Sequence, residues 1–249
     1  VATLNQGGAV AVSQLVERRE SEHRFFFLVA VLFPLLVLAG FGRTYYLKGF
    51  FATPPVSALV HLHGALMTTW VLLFMTQVWL ISSRRIKMHQ QLGIAGAVLG
   101  SLMIPLGLLT AVAAAKYGSP SAPPGIPPLV FMVVPVFDMI MFTVLFGAAL
   151  YHRKRAADHK RLILLTVLNF FPPAIGRLPI AALVALGPIA FFGIPDVLAF
   201  TLVGIDRWRN GKVNRAFLYG AILLTLSHPL RLMLGFSQVW LRFATWLTA

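Results

Sequence analysis

Cysteine is missing altogether from this chain, which excludes a disulfide, a thiolate metal site, an iron–sulfur cluster and a covalently attached c-type haem. Acidic residues are almost as scarce, with seven Asp and Glu against 21 Lys and Arg. Charge of either sign makes up 11% of the sequence, where a soluble domain carries roughly a quarter. No HExxH, HxxxH or HxxHH motif occurs, so zinc proteases and membrane di-iron oxygenases lack their usual ligand sets and no metal site is expected. A GxSxG elbow and a Gly-rich phosphate loop are also missing. The last long apolar run, AFLYGAILLTLSHPLRLMLGF, has no lysine, so a retinal Schiff base has no partner.

What fills the chain instead is apolar. Hydrophobic residues make up 58% and the mean hydropathy is +0.82, the composition of a chain that lives in a bilayer. The sequence is organised around a helical hairpin from Ser57 to about Leu109, two apolar runs flanking a turn with Arg84, Arg85, Lys87 and His89. The first run, Ser57 to Ser82, has 26 residues and no Asp, Glu, Lys or Arg. At a rise of about 1.5 Å per residue it crosses a hydrocarbon core of about 30 Å with tilt to spare. Other spans are expected from about Phe25 to Gly42, with a kink at Pro34, from Leu129 to Leu150, and from Ala216 to Leu234. Between Leu162 and Ile205 lie two more, turning near Gly187–Pro188, the earlier one broken by Pro172 and Pro173 in NFFPPAIGR. FSQVWLRFATWLTA either finishes the last span or lies along the outer interface, anchored by Trp240, Arg242 and Trp246. The opening stretch VATLNQGGAVAVSQLV has no positively charged start and does not read as a signal peptide.

The basic residues give the topology. The formal charge of +14 invites a nucleic-acid reading, but 15 of the 21 Lys and Arg fall in the N-terminal ERRESEHR stretch and in three short turns between apolar runs. That is the positive-inside pattern, and no nucleic-acid partner is expected. The reading predicts an all-α transmembrane bundle of about seven spans in a bacterial inner membrane. Residues 1–24 form a cytoplasmic segment, residues 25–249 a single membrane domain, and the C-terminus is periplasmic.

Ionisable residues inside spans are expensive in lipid and usually face the bundle interior. Counting from the inner basic turns puts Asp138 roughly 22 Å up, Arg177 and Arg231 roughly 24 Å, His228 about 20 Å, Asp196 about 15 Å and His63 about 31 Å. These six converge on the outer half of the bundle as candidate ligand-binding residues. Asp138 also has a purely structural reading, as the neutralising partner of Arg177 or Arg231. His61 and His63 lie 200° apart on a helix; His63 shares a face with Met67, Trp70, Phe74 and Gln77 and is expected to point inward. A second set, His23, His89, His152 and His159, sits at inner span ends beside Arg or Lys. These read either as wet interfacial residues near anionic headgroups or as haem ligands, with His89 and His159 the cofactor-binding pair of choice.

The stretch H-x-H-G at His61–Gly64, a long apolar run with Gln77, a basic turn and H-x-x-L-G at His89, Leu92 and Gly93 resembles uncharacterised bacterial multi-pass membrane proteins. It also resembles, loosely, the helical pairs of membrane b-type cytochromes and ferric-reductase-like proteins. That resemblance implies haem b, carried over to His89. The expected function is a membrane redox component binding quinone or haem b. The alternatives are a transporter or receptor for a small anionic solute, with Arg177 and Arg231 as counter-charges, and an accessory subunit of a larger membrane complex.

Overall fold

The computed structural model describes residues 26–118 and 125–249, and every regular element among them is helical. The expected cytoplasmic segment 1–24, with His23, and residues 119–124 of the Pro-rich stretch KYGSPSAPPGIPP, expected to be an outer loop, lie outside the described residues. Helix α1 runs Phe26–Tyr46 and stays helical through Pro34, its last turn widening at Gly42–Tyr46. Helix α2 spans Ala58–Ser82, with Ser57 as N-cap, and α3 spans Ile86–Tyr117. The short α4 (Pro128–Phe131) runs almost directly into α5 (Val133–Tyr151). Then come α6 (Ala156–Leu168), α7 (Phe171–Ile175), α8 (Ala181–Leu186), α9 (Pro188–Asn210), α10 (Arg215–Gly235) and α11 (Gln238–Thr248). Six stretches are long and apolar enough to cross a membrane: α1, α2, α3, α4 with α5, α9 and α10. This is the architecture of a multi-pass membrane protein.

Helix α3 has 32 residues, about 48 Å of helix, and stops at Gly118 with φ +82°, at the start of the Pro-rich stretch KYGSPSAPPGIPP. Its inward face carries Gly96, Gly100, Gly107 and Ala111. A Cβ on Gly96 would press on Leu73 of α2, and one on Gly100 on the Phe146 ring of α5. Small residues let these backbones close up where lipid gives helices no hydrophobic reason to associate.

The segment from α6 to α8 is the broken one. Residues Leu164–Leu168, Phe171, Pro172, Ala174 and Ile175 are all buried, so its interruption at Asn169–Phe170 is enclosed by protein, where irregular backbone is tolerated at membrane depth. Gly187 takes φ +52°, which an L side chain rarely adopts, and Pro188 starts α9 directly after it. The C-terminal stretch is a separate helix capped by Ser237. Trp240 is not an interfacial anchor: it is buried and donates from Nε1 to the Leu129 carbonyl at 2.8 Å, whereas Trp246 is exposed.

Helix α1 docks on this broken segment through Gly40, where a Cβ would overlap the backbone of Ala174. Backbone cannot yield as a rotamer can, so Gly40→Ala should lower stability by about 1–3 kcal/mol. Gly147→Ala, on the exposed face of α5 with open space around it, should leave the protein as stable or slightly more so. Thermal unfolding of both variants in detergent measures the contrast.

Candidate functional site

The polar residues in the spans gather in three places. The first is an ion network between α5, α9 and α10. Arg231 has none of its surface exposed, and its Nη1 donates to Oδ1 of Asp138 at 2.5 Å. Its remaining nitrogens donate to the Ser227 carbonyl at 3.3 Å and the Ser227 hydroxyl at 2.9 Å. The guanidinium sits over the rings of Phe137 and Phe192, 5.7 and 5.4 Å from their centres. Asp138 is held from behind, because Asn169 donates to its backbone carbonyl at 2.9 Å. Beside this pair, Nδ1 of His228 meets both carboxylate oxygens of Asp196, at 2.9 and 3.0 Å, and Thr225 donates to the same group at 2.8 Å. Phe192 joins the two halves, stacking on His228 at 4.5 Å while lying under Arg231.

Arg177 does not belong to this network. Its Nη1 donates to the Pro173 carbonyl at 2.7 Å, its guanidinium covers the Phe41 ring at 4.7 Å, and its charge reaches His63. The six outer-half candidates therefore split into Asp138, Arg231, Asp196 and His228 on one side and His63 with Arg177 on the other. His61 is exposed against Tyr45, whose hydroxyl donates to the His61 carbonyl at 3.2 Å.

The third place is a seam lined from α2, α3, α5 and α6. Five buried side-chain polar atoms among the described residues lack a hydrogen-bond partner, and four of them are here: Trp70 Nε1, Gln77 Oε1, His89 Nδ1 and Asn169 Oδ1. Trp70 meets Phe142 and Phe146 edge-on at 5.3 and 5.4 Å, and Phe142 reaches Phe170, next to Asn169, at 5.1 Å. Gln77 follows Trp70 by two turns of α2 and lies against Gly93. His89 approaches the Gln77 backbone and lies near His159, whose own Nδ1 meets the Ala149 carbonyl at 2.8 Å. An orphaned buried polar atom costs about 1–3 kcal/mol, and four in one seam need a reason. The helical face through Trp70 and Gln77 was readable from spacing. The missing partners, and the arrival of Asn169 from the broken helix, were not.

The ion network yields a sharp expectation. Asp138→Asn strands the Arg231 charge in a buried site and should cost about 3–5 kcal/mol. Adding Arg231→Gln to it should recover most of that loss, since no charge is then stranded. Denaturation of the single and double variants measures this; a harmless Asp138→Asn would show that Arg231 does not depend on the carboxylate. No protein-family model, curated protein or solved structure matches this chain.

Proposed function

We propose that this protein is a membrane redox component that binds a quinone in the seam between α2, α3, α5 and α6. The observation that carries the reading is the set of orphaned polar atoms on Trp70, Gln77, His89 and Asn169. Of these, Trp70 belongs to the aromatic cluster with Phe142, Phe146 and Phe170, and Asn169 adjoins it at Phe170. Trp70 offers a donor, Gln77 and Asn169 offer acceptors, and the imidazole of His89 serves as either. Seven residues of helix separate Trp70 from Gln77, roughly 10 Å. A six-membered ring with oxygens at opposite ends covers that distance with a hydrogen bond at each. Donors suit the carbonyls of the oxidised ring, acceptors suit the hydroxyls of the reduced one, and the aromatic walls suit both.

Haem b is a second reading favoured by one specific observation. His159 directs Nδ1 at a backbone carbonyl, the arrangement that fixes an imidazole with Nε2 free to ligate, and His89 beside it keeps a buried nitrogen without a partner. These two residues would hold the iron, and the group would supply one-electron transfer next to the quinone. The likeness of the His61–Gly93 stretch to b-type cytochromes supports the same reading.

The topology we propose has seven crossings, the six long helices plus the interrupted α6–α8, in a bacterial inner membrane with the Arg84–Lys87 and Arg153–Arg155 turns facing the cytoplasm. A reporter fused after Lys116 should then read periplasmic and one after Arg155 cytoplasmic. The reverse pattern would overturn the orientation.

For the seam, purified protein titrated with a short-chain ubiquinone should show saturable quenching of tryptophan fluorescence. Trp70→Phe and His89→Ala should each weaken binding about tenfold, the worth of one buried hydrogen bond to the ligand. Trp79→Phe, on an exposed face, should leave the affinity alone. Absence of saturation, or equal binding by all variants, defeats the quinone reading. A Soret band in the same preparation, lost in both His89→Ala and His159→Ala and kept in His61→Ala, would add haem b.

A further inference from the structure

Each aspartate in the described residues is already committed. Asp138 serves Arg231, Asp206 serves Arg161, and Asp196 takes His228 and Thr225. Asp158 accepts from Asn214 at 2.7 Å with His152 at 3.9 Å. Two arginines near the end of α1 are left with neutral neighbours. Arg177 has the Pro173 carbonyl and the Phe41 ring, and Arg43 has the Phe51 ring at 5.1 Å. Both line one cleft of about 240 Å³, together with Thr44, Phe51, Thr53 and Pro179. No carboxylate lines it.

The cleft is built for an anion. Two arginines lining one cleft bring like charges together, which an anion bound there relieves. The Thr44 hydroxyl is buried there without a partner. Thr53 donates to the Arg43 carbonyl at 2.8 Å, which fixes the loop that brings Arg43 round. Its rim is apolar in sequence, with Phe50 next to Phe51 and Ile180 next to Pro179 both exposed. Such a rim suits the boundary between acyl chains and headgroups, where a soluble protein would have placed polar residues.

We propose that this cleft binds a phosphate group, carried by a membrane phospholipid or by a soluble phosphate. Arginines arriving from two elements, with Thr44 in the same lining, match the several oxygens of a tetrahedral phosphate better than the two of a carboxylate. This site is separate from the quinone seam and stands whether or not the seam binds quinone.

The test uses the full chain in detergent, stripped of lipid and titrated calorimetrically with inorganic phosphate and with dihexanoyl phosphatidylglycerol. One saturable site is expected for at least one of them. Binding of the lipid alone identifies a headgroup site, and competition between the two identifies a site for free phosphate. Arg43→Gln, at an exposed side chain that folding does not need, should weaken binding about tenfold, and Arg177→Gln by at least as much. Arg242→Gln, at an exposed position on α11, should change nothing. No binding to either probe, or undiminished binding by Arg43→Gln, overturns the proposal.

Discussion

An arginine with no exposed surface in the middle of a helical bundle can keep its charge because a carboxylate and a ring of acceptors meet it there. The contact between Arg231 and Asp138 ties α10 to α5, and the elements around it take their places from that pair. Phe192 brings α9 in beneath the guanidinium, and the Asn169 amide fastens the end of α6 to the backbone of Asp138. A second buried pair, Arg161 with Asp206, joins the first half of α6 to the end of α9, the Arg161 Nε lying 2.9 Å from the carboxylate. Two ionic ties at different depths thus hold α5, α6, α9 and α10 in register. Breaking either leaves a charge that lipid cannot solvate.

This economy of acids has a consequence elsewhere. With each described aspartate engaged in a tie, the cations left over are informative, because no carboxylate among the described residues neutralises them. Arg43 and Arg177 are in that position, and they share a cleft. The same reasoning applies to neutral polar atoms. Backbone and side-chain groups inside the bundle are mostly paired, so the four orphans along Trp70, Gln77, His89 and Asn169 stand out as a group.

The sequence was most legible where chemistry acts locally. The turn at Arg84–Arg85 follows from a basic cluster between apolar runs, and the turn at Gly187–Pro188 from a residue that accepts positive φ followed by one suited to a first helical turn. Counting residues along unbroken helix also brought Asp138 and Arg231 to one depth, and they meet. The same count misplaced Arg177 as a partner in that layer, because α6 is interrupted at Asn169–Phe170 and a constant rise no longer applies beyond it. The end of α3 was legible as well: Gly118 stops it at the start of the Pro-rich stretch KYGSPSAPPGIPP. Hydrophobic pattern shows which face turns inward. Whether a buried donor finds an acceptor depends on what the neighbouring helices bring, and that is invisible until they are packed.

The seam carries the functional reading, since orphaned donors and acceptors flanked by aromatic rings have no structural role that an apolar side chain would not fill better. The most direct test is solvent extraction of the protein purified from its native membrane under mild conditions, with quinone in the extract quantified against protein by mass spectrometry. The expected result is quinone retained close to one per chain and enriched well above the surrounding lipid. Quinone at no more than the level carried by bulk lipid, from protein that remains folded, would contradict the reading.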